Sequence, residues 1–324
     1  MAVFFFLAGM EIKREMFQGE LSSPKKAMLP VVAAISGVVV PAVIFLLFNK
    51  GTGMEHGWGI PTATDIAFSL GVAALLGKRV PYSLKVFLTA LAIIDDLCAI
   101  LIIALFYGGT VSWLWLGGSL VFTLAIVGLN KWGKKGGDAL RLLFGIGLWW
   151  CMYHSGIHPT VAGIIFALLI PVERLAYFEK KVHLSVNFLI VPIFALANTS
   201  ILLPDNPAAV FASTVSWGIM LGLFIGKPLG ILGACWMMIR RGWSRMPQGA
   251  NWHQFIGVAI LAGIGFTMSI FVASLAYKPA AWQDQAKLAV IIASFAAMAV
   301  GYGWLRLSGK NPAAKENPTK KEKQ

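Results

Sequence analysis

Two adjacent carboxylates, Asp95 and Asp96, stand in the middle of an apolar run from about Val86 to Phe106. A helix crosses a bilayer with roughly 20 consecutive apolar residues, so this run is long enough to span one. An ionised aspartate at the centre of such a helix costs on the order of 2.5–3.5 kcal/mol even on the lenient insertion scale. Side by side the two charges also repel, so a proton or a cation has to share the site. A polar pair that only hydrogen-bonds neighbouring helices is the poorer account, because one Asn or Ser does that at lower cost.

Composition agrees with a chain immersed in lipid. Of 324 residues, 58% are hydrophobic and 13% charged, against about 25% charged in a soluble domain. A net charge of +13 suggests a nucleic-acid partner, but the basic residues fall in short clusters between apolar runs and form no stripe, which excludes one. Cys98, Cys151 and Cys235 all lie inside apolar runs and read as small buried hydrophobes. No Cys or His spacing suggests a metal, and no cofactor is expected. The five histidines read as loop residues, with pH sensing as the alternative for His158 and His183.

Residues 1–10 are apolar but too short to span, and charges follow at once. This stretch reads as the last half of a transmembrane helix whose beginning is missing, with residues 1–18 as that helix and its cytoplasmic end. Ten further apolar runs follow, at roughly 27–48, 60–76, 86–106, 113–130, 139–153, 159–172, 184–200, 214–239, 254–277 and 287–306. Together they make a membrane domain over 19–307, followed by a solvated, disordered tail over 308–324. When the ten spans alternate, one set of loops collects Lys13, Arg14, Lys78, Arg79, Lys134, Lys135, Arg141, Arg240, Arg241, Arg245 and most other basic residues. The opposite loops hold only Lys50, Lys278 and Lys287. The rich side, with the C-terminus, is therefore expected in the cytoplasm.

Setting loop and tail charges aside leaves Asp65, Asp95, Asp96 and Lys227 at membrane depth, with Glu11, Arg14 and Glu15 at a cytoplasmic helix end. Four unpaired charges at depth would cost roughly 10–14 kcal/mol, comparable to a whole protein's stability of about 5–15 kcal/mol. Lys227 should therefore pair with Asp95 or Asp96, leaving the other carboxylate, with Asp65 nearby, to meet a cation. Asp65 lies in Gly59-Ile-Pro-Thr-Ala-Thr64-Asp65, where Pro61 and the polar pair interrupt a short apolar segment as in a discontinuous helix. Asp65 either neutralises the positive end of a half helix or ligates the ion.

A second interrupted segment, Leu261-Ala-Gly263-Ile-Gly265-Phe-Thr267-Met-Ser269-Ile, holds the matching place in a second triplet of spans. The two triplets, about 27–106 and 214–306, begin on opposite sides, which is the plan of inverted-repeat secondary transporters. The fold expected is thus an all-α polytopic membrane protein, with inverted repeats of three helices and two discontinuous, crossing helices. Gly222, Gly226 and Gly230 form a small-residue face for close helix packing. Pro228 lacks an N–H and should loosen its helix beside Lys227.

Four stretches resemble the bacterial NhaA sodium/proton antiporters: Gly-Ile-Pro-Thr-Ala-Thr-Asp65-Ile-Ala-Phe, Leu-Ala-Ile-Ile-Asp95-Asp96-Leu, Gly-Lys227-Pro-Leu-Gly-Ile and Gly-Ile-Gly-Phe-Thr-Met-Ser-Ile. The likeness covers almost the whole chain, and that family is itself among the transporters built from inverted repeats. It implies electrogenic, pH-regulated exchange of cytoplasmic Na+ (or Li+) for external H+ in the bacterial inner membrane. Asp96 would be the principal Na+ ligand, and Asp95 would alternate between Lys227 and the open site. Thr64 and Asp65 would mark the helix crossing. Glu11, Arg14, Glu15, Glu179 and His183 match a cytoplasmic cluster tied to pH activation, although Lys180 stands where well-known members carry a histidine. Family members have twelve spans and this chain begins inside what would be the second. A homodimer is therefore an expectation weakened by the absent N-terminal hairpin. The alternatives are a sodium-coupled solute symporter and an intramembrane aspartate-dependent enzyme. Against the enzyme, the Tyr-Asp, Gly-x-Gly-Asp and Asp-x-x-x-Asp contexts that such enzymes use are missing.

Overall fold

A computed structural model of the chain describes residues 1–132, 137–201 and 208–308. Lys134, Lys135 and the expected tail beyond Ser308 lie outside these residues. The chain begins with α1 (Ala2–Gln18) and α2 (Pro24–Asn49), then a 3-10 stretch, Glu55–Thr62, that leads to α3 (Ile66–Leu75) and α4 (Tyr82–Phe106). Next come α5 (Trp113–Trp132), α6 (Asp138–His154), α7 (Thr160–Leu169), α8 (Val172–Ser185) and α9 (Val191–Asn198). Then follow α10 (Ala208–Ala212), α11 (Thr214–Leu221), α12 (Lys227–Arg240), α13 (Trp252–Leu261), α14 (Phe266–Ala276) and α15 (Ala280–Ser308). No strand occurs among the described residues. Seven rods there are long and apolar enough to cross a membrane, and the bent pair α13–α14 makes an eighth. This is a multi-pass, all-α membrane protein.

Two rods are continued through a π turn. Val186–Ile190 joins α8 to α9, and Gly222–Gly226 joins α11 to α12. Each π turn ends two residues before a proline, Pro192 or Pro228. Proline has no N–H for the carbonyl four residues back, here Phe188 or Phe224, and the freed ladder relaxes into the wider turn. The first of these rods corrects an expectation. The segment expected over 184–200 starts at Val172, because nothing between Pro171 and Pro192 breaks the helix.

Contacts divide the chain into two compact units. The first comprises Met1–Pro24 and Asp96–Ser200, with a core of Phe6, Met10, Ile126, Leu148, Phe166 and Phe178. In it α7 is only 10 residues long, and its end carbonyls are met by side chains. Lys13 donates to Leu168 O at 2.7 Å and to Ile170 O, and Asn130 donates to Leu169 O at 2.6 Å. Arg141 is buried against Asn130 and Asp138, at 2.9 and 2.8 Å. Lys13 and Arg141, expected as loop charges, are thus internal; each has polar partners that keep its burial tolerable.

The second unit comprises Lys25–Asp95 and Ile201–Gln324, around Leu84, Leu88, Leu91, Ile231, Phe255 and Leu261. Lys287, expected in an outer loop, is buried within α15. The small face of the α11–α12 rod packs as its glycines suggest. A Cβ on Gly226 would lie 3.2 Å from Pro41 Cα, and one on Gly230 would lie 2.4 Å from Ser36 O, both on α2. At that spacing the backbones themselves touch, so no rotamer change makes room. Gly233, on the same helix, has nothing within 4 Å of such a Cβ. Gly230→Ala is therefore expected to lower stability in detergent by about 1–3 kcal/mol. Gly233→Ala should be neutral or stabilising by up to about 1 kcal/mol. Thermal unfolding of the two variants side by side checks this.

Candidate functional site

In the second unit the chain breaks twice and the breaks meet. The 3-10 stretch ends at Thr62, Ala63 is extended, and Asp65 caps α3 by accepting from Phe68 N at 3.1 Å. The second break, over 262–265, bends α13 against α14 by 43°. Polar contacts join them, Ser269 Oγ donating to Ala63 O at 3.4 Å among them. Thr64 Oγ1 donates to Ala262 O at 2.8 Å, and Asp65 N donates to Ile264 O at 2.7 Å. Thr267 donates to Asp65 Oδ2 from its backbone N–H, at 3.1 Å, and from its hydroxyl. Unwinding frees backbone groups that lipid cannot satisfy, and here each break supplies partners for the other.

Asp65 thus serves two helix starts, its own and that of α14. Each start carries roughly half a positive charge, so one carboxylate matches the pair. The next donors of α14 are held by a neutral group. Ser294 Oγ, buried on α15, accepts from Gly265 N at 3.2 Å and from Phe266 N at 3.0 Å.

Lys227 begins α12 just past its π turn and is 0% exposed. Its Nζ donates to Asp95 Oδ2 at 2.6 Å and to the Thr62 carbonyl. That carbonyl is available because the 3-10 stretch stops there. Asp95 is 1% exposed, and its Oδ1 meets no hydrogen-bond partner among the described residues. Asp96, 3% exposed, follows about 100° further round α4. Removing one member of a buried ion pair costs about 3–5 kcal/mol, because the other charge is stranded.

In the first unit Arg14 of α1 is paired with Glu179 of α8. Glu11 stands about one turn before Arg14 on α1, and Glu15 directly follows it. Burial, then the nearby Glu179 carboxylate, push the Glu11 carboxyl up to about 7. His183 is one turn beyond Glu179 on α8, its ring 3.0 Å from Asn187 Nδ2. His158 does not join this cluster. It lies in the α6–α7 loop, with Nδ1 2.7 Å from Thr160 Oγ1. There it lines an apolar cavity of about 670 Å3 with Met1 and Ala2. That places it beside the opposite end of α1, about 15 Å along the helix from Glu11. Burial pushes its imidazole down to about 4, so it is neutral near pH 7.

The sequence pattern of the family described as Na+/H+ antiporter 1 matches residues 1–305. The Na+/H+ antiporter NhaA of Rhodospirillum rubrum is 46% identical over 97% of this chain and 82% of that protein. The protein of the same name from Cytophaga hutchinsonii is 45% identical over 98% and 83%, and that of Albidiferax ferrireducens 47% over 96% and 81%. The chain belongs to the Na+/H+ antiporter 1 family. Membership of a family of ion-coupled transporters removes the intramembrane-enzyme alternative.

Within this antiporter-family fold, Thr64, Asp65, Asp95 and Lys227 gather at the crossing, and Glu11, Arg14, Glu15, Glu179 and His183 gather on α1 and α8. Sequence reasoning missed Ser294 and the Thr62 carbonyl. A serine in an apolar run gives no sign of what it bonds, and only the spacing of the Gly263–Gly265 break hinted that donors there needed a partner. Ser294→Ala strands one buried and one part-buried N–H group and is expected to cost about 1–3 kcal/mol in detergent. Ser274→Ala, which removes only a bond to the carbonyl of Ile270 on its own helix, should change stability by less than about 0.5 kcal/mol. Paired melting curves test the contrast.

Proposed function

We propose that this protein exchanges Na+ (or Li+) for H+ at Asp95 and Asp96, electrogenically and under pH control. The observation that carries the reading is the fully buried Lys227–Asp95 pair, held where a broken helix ends and followed on the same helix by a second buried carboxylate. Asp96 is the principal cation ligand. Asp95 leaves Lys227 to join it when the cation enters, and returns when the cation leaves. Protons and Na+ compete for the same carboxylates, so binding one expels the other and the pair titrates as a unit. Thr64 and Asp65 hold the crossing in shape, with both oxygens of Asp65 already engaged by helix starts.

The relatives named as Na+/H+ antiporters support the same exchange. Movement of more protons than Na+ per cycle makes transport sensitive to voltage, at about 2.3 kcal/mol per net charge per 100 mV. The basic loops favour a cytoplasmic C-terminus in the bacterial inner membrane, so that inward protons drive Na+ out.

The α1–α8 cluster supplies the pH control. The fold favours neutral Glu11, so the stability it contributes is fully present below its ordinary value of 4.5 and is lost as pH rises through about 7. Ionisation there sets Glu11 against Glu179 and weakens the Arg14–Glu179 tie between α1 and α8.

Asp96→Asn is expected to abolish Na+-dependent proton release from proteoliposomes while the protein still folds, and retained exchange refutes the assignment. For the cluster, Glu11→Gln should flatten the loss of thermal stability between about pH 4.5 and 7 and displace the pH at which transport turns on. An unchanged profile would remove Glu11 from regulation.

A further inference from the structure

The second unit carries an unbalanced positive surface at one end. Arg240, Arg241 and Arg245 close α12 and the loop after it, and all three are exposed. Arg240 lies over the Trp236 ring at 4.9 Å and Arg241 over the Trp243 ring at 5.3 Å. These two indoles are themselves 50% and 59% exposed. The turn between α3 and α4 is tied to the same surface. Ser83 Oγ donates to Gln248 O at 2.6 Å, and Gln254 Nε2 donates to Arg79 O at 3.2 Å. Arg79 in turn donates to Arg306 O at 2.6 Å.

The segments that supply this surface carry no acidic residue. The sequence has none over 66–94, 206–283 or 285–315, the segments that supply the surface. Among the described residues none of Arg240, Arg241 and Arg245 makes an ion pair. Membrane orientation asks only for an excess of Lys and Arg, and acidic residues hardly affect it. It does not explain guanidinium groups laid on exposed indoles. A stacked guanidinium is pre-ordered, and its edge donors match a phosphate in a two-pronged bond. Exposed tryptophans at the end of a membrane helix sit at headgroup level, which places a lipid phosphate within reach of the stacked arginines.

We propose that this end of the second unit is a docking site for anionic phospholipid headgroups, held by Arg240, Arg241 and Arg245 and flanked by Trp236 and Trp243. Only contact with a leaflet is required, so the transport reading is not a premise.

The test uses the full chain reconstituted in phosphatidylcholine vesicles, titrated with brominated phosphatidylglycerol or brominated phosphatidylcholine while tryptophan fluorescence is followed. Wild type should prefer the anionic lipid by at least about fivefold at low salt, with the preference falling as salt rises. Arg240→Gln/Arg241→Gln/Arg245→Gln should bring it close to one. Trp236→Phe/Trp243→Phe, which keeps the charges, should remove most of the quenching difference by removing its reporters. Equal quenching by both lipids in wild type would overturn the proposal, as would a preference that survives the triple arginine variant. Loss of the preference on adding inorganic phosphate at matched headgroup concentration would also overturn it, in favour of a site for a soluble anion. Na+-dependent proton release by the arginine variant, measured on the same vesicles, confirms that it is folded and keeps this outcome separate from the exchange reading.

Discussion

Lys227 and Asp95 form an ion pair from which water is wholly excluded, and much of the second unit can be understood as what is needed to hold it. Neither charge is tolerable alone in a medium of low polarity. The ammonium must therefore be aimed within a few tenths of an ångström, and three elements do the aiming. Helix α12 is pressed onto α2 along its glycine face, the 3-10 stretch stops at Thr62 and offers a carbonyl, and α4 presents the carboxylate. A shift in any of the three strands a charge.

The crossing beside this pair is arranged so as not to compete with it. Two helix starts point their positive ends into one small volume, and Asp65 matches both. Ser294 takes the N–H groups of Gly265 and Phe266 without adding charge. A second acid in its place would have left the crossing with a net negative charge. With the crossing electrically closed, the lysine answers to Asp95. That separation lets the helix starts and the ion pair be satisfied side by side.

The parts of this arrangement that break a rule of membrane chemistry were the parts visible in the sequence. Asp95, Asp96 and Lys227 stand out because apolar runs exclude charge. Thr64-Asp65 and Gly263–Gly265 stand out because they interrupt helices. Residues that obey local rules gave no such signal. Ser294 is an ordinary serine in an apolar run, and its role exists only because α15 brings it to the second break. Lys13 and Arg141 looked like loop charges, since a basic residue beside an apolar run usually is one. Their burial depends on the carbonyls ending α7 and on Asn130 and Asp138, partners that only the tertiary fold assembles. The unbroken Val172–Asn198 rod was concealed by its charged first half, which hydropathy alone assigns to a loop.

The π turn at Gly222–Gly226 has a geometric corollary. It accommodates one residue more than an α turn does, so everything downstream is rotated by about 100° from where a regular helix would put it. The compass bearing of the ammonium is consequently fixed by a glycine-bounded bulge, which closes through the Lys227 backbone N–H on Gly222 O, and by a proline. A lineage that lost a single residue from the bulge would keep every charged group and every hydrophobic face in name, yet would point its lysine at a different neighbour.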